Sequence, residues 1–225
     1  MAEERGQTFS FARKFYGDQF FAKPRGADTY SDLTGRTFLV TGSNTGIGFA
    51  LATHPARLQP AQLILAVRDL KKGEAAKESI VAQTGFKGAL EALNVKRFAE
   101  RANTTLERLD GANINAGVHT WSWAMTADGW GRMLQVNTLS TGLLALLLLP
   151  LLQATTALPS PHPDAASPPH LTITGSAGML LANKGRYYNT KLFNWYLTRE
   201  ITNLPQAKGI AVKYIYTGFG VSSPS

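Results

Sequence analysis

Tyr187 and Lys191 stand four residues apart in RYYNTKLFNWYLTRE, a segment of helical character. That spacing puts both side chains on one helix face. A phenol titrates near ~10 in water, and a neighbouring ammonium favours its ionised form, which suits the pair to acid or base work near neutral pH. The chain holds seven Tyr and eleven Lys, so the pair alone is weak evidence. Tyr188, three residues from Lys191, reads as a pocket or packing residue.

A second chemical signal lies far upstream. Gly42, Ser43, Asn44, Thr45, Gly46, Ile47 and Gly48 follow an apolar run and open a helical one. Glycines there allow a sharp turn, close approach of a pyrophosphate, and free helix N-terminal N–H groups facing the anion. The plainer alternative is a glycine-rich turn from strand to helix. Arg68 follows the next apolar run. On a dinucleotide-binding sheet an acid at that place binds the adenosine 2′-hydroxyl, whereas an arginine accommodates a 2′-phosphate, so Arg68 favours NADP(H) over NAD(H). Lys72 reads as an assistant or as solvated charge, and Asp69 as the start of the following helix.

The elements that must position these residues can be read from the pattern. TFLVT (37–41), LILAV (63–67), the stretch from Ala112 to Asn115, LTIT (171–174) and AVKYIY (211–216) read as strands. Helical patterns cover Gly46–Leu58, Gly73–Gln83, Val95–Leu109, Asp128–Leu152 in two pieces, and Tyr187–Asn203. Alternation of strand and helix predicts an α/β fold with a doubly wound parallel sheet, a Rossmann fold, whose ligands sit at the carboxyl ends of the strands. The Pro-rich stretch from Leu158 to His170 predicts a mobile surface loop. Residues 1–35 read as an N-terminal extension with Phe9, Phe11, Phe15, Tyr16, Phe20 and Phe21, and 36–225 as the single dinucleotide-binding domain.

Composition narrows the function classes. Two full domains would be cramped in 225 residues, and 44% apolar residues exclude disorder as the main state. The absence of cysteine excludes disulfides, thiolate metal sites and a cysteine nucleophile, and four scattered histidines argue against a zinc enzyme. The net charge of +8 is spread along the chain without a basic run, so a nucleic-acid partner is not expected. The start carries acids where a signal peptide needs basic residues. The most apolar run, Leu143 to Leu152, contains Pro150 and is about half the ~20 residues needed to span a bilayer. It reads as a buried helix, and cytoplasmic placement is the default.

In order along the chain, TGSNTGIG, INAG (114–117), Asn137 in LQVNTLSTG, Ser176 in TITGSAG, and Tyr187-x-x-x-Lys191 resemble the short-chain dehydrogenase/reductase family. AVRDLKKGE, TADGWGRMLQVNTL and TKLFNWYLTREI resemble its fungal and retinol-dehydrogenase-like branch. The resemblance implies that Tyr187 exchanges a proton with a carbonyl or alcohol oxygen while nicotinamide passes a hydride. It implies that Ser176 holds the same oxygen, that Lys191 lowers the Tyr187 pKa and binds the nicotinamide ribose, and that Asn137 supports Lys191 through a water. Asn94 would stand by the adenine, Asn115, Ala116 and Gly117 would form the cofactor wall, and Gly218 would follow the last strand beside it.

There are departures from the family pattern. Pro55 falls inside the first helix, where it costs ~3 kcal/mol or more unless the helix ends or kinks there. The link FKGALEALNVKRFAE looks too short for a full third strand and its helix. Ile114 replaces the first Asn of the family's NNAG, Thr217-Gly218 replaces Pro-Gly, and Ser222 stands where relatives have a threonine touching the nicotinamide amide. The chain stops at Ser225 where relatives continue, which reads as C-terminal truncation with an open pocket. The expected function is an NADP(H)-dependent oxidoreductase interconverting a carbonyl and a secondary alcohol, in fungal secondary metabolism, on a small-molecule substrate. The alternatives are a catalytically impaired dinucleotide-binding module and a basic structural or nucleic-acid-binding domain. A homo-oligomer through the two long helices is compatible with LLALLLLPLL.

Overall fold

The computed structural model describes residues 32–94, 98, 102, 104–162, 166–182 and 185–217. The aromatic extension, Gly218 and Ser222 lie outside the described residues. Among the described residues six strands form one all-parallel sheet: β1 (Thr37–Thr41), β2 (Gln62–Val67), β3 (Ala89–Asn94), β4 (Gly111–Ile114), β5 (His170–Ser176) and β6 (Ala211–Thr217). Their order is β3-β2-β1-β4-β5-β6. The winding reverses between β1 and β4, and on open α/β sheets such a switch point is where ligands bind, beyond the carboxyl ends of the strands.

Both faces of the sheet are buried, which is why its central strands read as continuous apolar runs. In β2, Ile64 and Ala66 join one core cluster with Leu39, Leu144, Leu148, Leu152, Leu171 and Ile173. Leu63 and Leu65 point the other way, into a cluster with Val40, Ala52, Ala76 and Ile80. The period-2 alternation of the strand thus feeds two separate layers of helices. On the second face lie α1 (Gly46–Arg57) and α2 (Leu70–Thr84). On the first lie α3 (Arg132–Leu134), which passes through a π turn (Gln135–Leu139) into α4 (Ser140–Thr156), and α5 (Arg186–Thr202).

Several boundaries differ from the sequence expectation. Helix α2 starts at Leu70, three residues early, because Asp69 caps it by accepting from the Lys71 and Lys72 amides at 3.0 and 3.3 Å. Asp128 precedes helix: residues 126–130 form a tight turn in which Thr126 N–H donates to the Trp130 carbonyl, and helix begins only at Arg132. The two pieces expected there are one 25-residue run, long and apolar enough by length and composition to cross a membrane. Half of its most apolar window is buried, and Leu144, Leu148 and Leu152 of that half join the core cluster. Helix after β3 is described at Phe98, Ala102 and residues 104–105, and the chain has left it by Leu106.

Strand β3 is not short: its six residues pair with every residue of β2. Pro55 sits in the final turn of α1, which ends two residues later at Arg57, so few helical bonds depend on the missing N–H. The described ends of the Pro-rich loop are tied to the start of the domain. His162 Nε2 lies 2.8 Å from the Thr34 carbonyl, and Arg36 donates to Ser167 at 2.8 Å.

Candidate active site

The turn after β1 has the geometry an anion needs. Gly42 and Gly46 have φ of +65° and +56°, left-handed values that suit glycine. A Cβ on Gly48 would overlap the Gly42 carbonyl, so helix α1 lies directly against the turn. Thr45 makes no side-chain cap, so its hydroxyl does not occupy the first-turn amides of α1. The Ser43 hydroxyl is fully buried and has no partner. Together these fit a pyrophosphate, with Gly42, Ser43, Asn44, Thr45, Gly46, Ile47 and Gly48 around it. Thr41 closes the turn from below, its Oγ1 accepting from the amides of Asn115 at 2.9 Å and Ala116 at 3.0 Å.

The ends of β2 and β3 lie beside this turn. Arg68, exposed, directly follows β2, and Asn94 ends β3 as the partner of Val67 in the ladder. Asp69 is spent on its helix cap. Asn115, Ala116 and Gly117 leave β4 on the other side of β1, so the predicted cofactor residues of β1 to β4 share one edge of the sheet.

The polar residues converge beyond β5. Ser176 is the last residue of that strand, and Tyr187 and Lys191 occupy the first two turns of α5, one helical turn apart. Lys191, buried, donates from Nζ to the Thr174 carbonyl at 3.1 Å, and Nζ lies 5.7 Å from the centre of the Tyr187 ring. Asn137 is completely buried in the π turn, a local distortion often found at functional sites. It accepts from Val118 N–H at 2.7 Å and donates to the Val118 carbonyl at 2.9 Å and the Thr190 hydroxyl at 3.1 Å. Its direct partners are therefore the loop after β4 and helix α5.

Electrostatics here differs from the expectation that the lysine lowers the phenol. Burial raises the Tyr187 pKa above its usual value, and the hydrogen bond with Ser176 only partly offsets this. The same desolvation brings Lys191 down to about 8, because its charge is costly away from water. At neutral pH Tyr187 is thus a protonated phenol, poised to donate.

Sequence reading missed an aromatic wall beside the phenol. The His119 ring lies 4.6 Å from that of Tyr187 and 5.1 Å from that of Trp121, which is 90% exposed. Arg186 covers the Trp123 ring at 4.9 Å. Tyr188 packs against Tyr187 and Gly178, as expected of a packing residue. Only the run HTWSW, five residues after Ile114, hinted at this wall.

A sequence model of the short chain dehydrogenase family matches residues 36–223. A short chain dehydrogenase of Emericella nidulans, atnD, is 43% identical over 152 residues, 64% of this chain and 47% of its own length. The chain spans about half the length of the curated relatives it matches. Among solved structures, a Shigella flexneri short chain dehydrogenase complexed with NADP superposes with a TM-score of 0.62 at 24% identity, covering 84% of this chain and 80% of that one. The bulky-bulky ketone specific alcohol dehydrogenase of Comamonas testosteroni gives 0.66 at 19% identity, covering 83% and 73%. These two likenesses are of fold.

Proposed function

This chain belongs to the short chain dehydrogenase family, and on that premise we propose that it reduces a ketone or aldehyde to an alcohol with NADPH, Tyr187 supplying the proton. One observation carries the reading. The glycine turn and the Ser176–Tyr187–Lys191 group lie at the carboxyl end of the same sheet, on the two sides of its switch point.

Bound NADPH supplies the hydride that the carbonyl carbon accepts. Tyr187 gives its phenolic proton to the carbonyl oxygen, which balances the reduction. Ser176 hydrogen-bonds that oxygen and holds the carbonyl in line. Lys191 compensates the phenolate left behind, and its pKa of about 8 lets it hand on a proton near neutral pH. Asn137 keeps the β4 loop and α5 in register. Arg68 at the end of β2, with Asp69 committed to its helix, supports the 2′-phosphate form of the cofactor. The NADP carried by the Shigella relative agrees with this. His119 and Trp121 favour a substrate with an apolar, flat body.

Exposed apolar side chains on α4 and α5 support pairing with a second copy. Leu139 before α4, Leu143 and Leu146 on α4, and Phe193 and Trp195 on α5 are all exposed.

A titration with NADPH and NADH, read by nicotinamide fluorescence, tests the cofactor half. Tighter binding of NADPH is expected, with Arg68→Asp reversing the order. Carbonyl-dependent loss of absorbance at 340 nm tests the chemistry, and Tyr187→Phe is expected to abolish it with cofactor binding nearly unchanged. Equal turnover in that variant refutes the mechanism. Binding without turnover of any carbonyl favours a dinucleotide-binding module instead.

A further inference from the structure

We propose that Tyr214 is a positioning residue for Ser176 and Tyr187, admitted by Gly175; this rests on the reading of Tyr187 as the acid. Tyr214 lies in β6, directly beside β5. Its hydroxyl donates to the Lys191 carbonyl at 3.0 Å and accepts from the Ser176 N–H at 3.2 Å. One oxygen thus ties the last residue of β5 to the turn of α5 that runs from Tyr187 to Lys191. Ser176 and Tyr187 come from elements separated in sequence, and this bridge spans the gap between them.

Gly175 is the other half of the device. A Cβ there would overlap the ring carbons and hydroxyl of Tyr214. Glycine inside a strand weakens it and marks a place where another group approaches closely. Here that group is the ring. Ser176 is then held at two points, by Tyr214 through its N–H and by Gly178, whose amide donates to Oγ at 3.1 Å. Besides accepting from Gly178, the Ser176 hydroxyl shares a hydrogen bond with Tyr187 that favours phenolate, and with a carbonyl bound its proton turns to that oxygen. The titratable groups facing Tyr187 are His119 from the loop after β4, Tyr188 and Lys191 from its own helix, and Tyr214 from β6. Of these, Tyr214 is bonded to the Ser176 backbone.

The test uses the full chain labelled with 13C at tyrosine Cζ, the Tyr187 signal being assigned with Tyr187→Phe. Tyr214→Phe keeps the ring and removes the bridge. Its Tyr187 titration midpoint should rise by about half a pH unit or more, because Ser176 no longer holds its direction. With NADPH and 9,10-phenanthrenequinone as probe, kcat should fall about fivefold or more while KM for NADPH changes less than about twofold. Gly175→Ala alone should unfold at lower temperature, and Gly175→Ala/Tyr214→Ala should recover the loss while showing the same raised midpoint. A merely structural Tyr214 would lower Tm and leave the midpoint in place. An unchanged midpoint in both bridge-free variants, or failure of both to fold, overturns the proposal. Equal turnover of the quinone by Tyr187→Phe refutes the proposed function instead, and the midpoint still decides the bridge.

Discussion

Asn137 Nδ2 donates to Thr190 Oγ1 at 3.1 Å and thereby joins the π turn to the helical turn between Tyr187 and Lys191. The same side chain holds both the N–H and the carbonyl of Val118. Asn137→Ala leaves those two backbone groups without this partner, and a buried polar group left unpaired costs about 1–3 kcal/mol. The variant should lose about 3 kcal/mol, or about 6–12 °C in Tm. A drop under about 2 °C in a thermal melt would show that the β4 loop does not depend on Asn137.

Lys191 predicts a pH dependence of stability. With a native pKa of about 8 against 10.5 for the free side chain, it holds its proton less tightly in the folded state. Between those values the unfolded chain binds more protons, so this group makes stability rise with pH across that window. Below pH 8 the native state bears the whole cost, at most about 3 kcal/mol. Lys191→Met should therefore be more stable than the parent at pH 7, by about 2 kcal/mol once the lost bond to Thr174 is counted. The advantage should shrink toward pH 10.5. Melting both proteins from pH 7 to 10 checks this, and a constant gap would contradict it.

Much of this arrangement was legible in the residues, because strong local signals marked it. Strands β1, β2, β5 and β6 fell close to their expected bounds, since apolar strands buried on both faces stand out. The structure sets Ser176 and Lys191 beside Tyr187, and the glycine turn lies at the carboxyl end of the same sheet. Strand β3 read as too short because ALEALN alternates weakly, and its pairing with β2 is a long-range fact. The turn around Asp128 was missed although Asp128-Gly129 is a turn dipeptide; three hydrogen bonds between Thr126 and Trp130, with Gly129 at φ +79°, hold it out of the helix. Tyr214 and Gly175 gave no local signal at all, since each makes sense only beside the other. The direction of the Tyr187 shift was misjudged because burial, which sequence spacing does not report, outweighs the hydrogen bond with Ser176.

Gly48 tests whether the close packing of α1 on the turn makes the cofactor site. A methyl there would overlap the Gly42 carbonyl and come within 2.6 Å of Asn115 Nδ2. Relief requires α1 to move away from β1, at about 1–3 kcal/mol for overpacking of this kind. Gly48→Ala should lower Tm and weaken NADPH binding about tenfold or more, because the amides of α1 shift from the phosphates. Full-strength NADPH binding in a destabilised Gly48→Ala would place the pyrophosphate elsewhere.

Pairing through α4 predicts a concentration-dependent dimer. Leu144, Ala145, Leu148, Leu149 and Leu152 of this helix face the core, whereas Leu139, Leu143 and Leu146 recur at helical spacing on the outside, with Leu143 61% exposed. Burying one such leucine contributes about 1.5–3 kcal/mol, and a stable interface covers roughly 800 Å² on each partner. The row on α4 with Phe193 and Trp195 on α5 offers apolar side chains from two neighbouring helices. Leu143→Arg should raise the dimer dissociation constant about tenfold or more, since the guanidinium would be buried opposite its own copy. Leu70→Arg, on the exposed start of α2, should leave it unchanged. Sedimentation equilibrium of the three proteins distinguishes these cases. A parent that stays monomeric at high micromolar concentration, or equal weakening by both substitutions, would remove α4 as the pairing face.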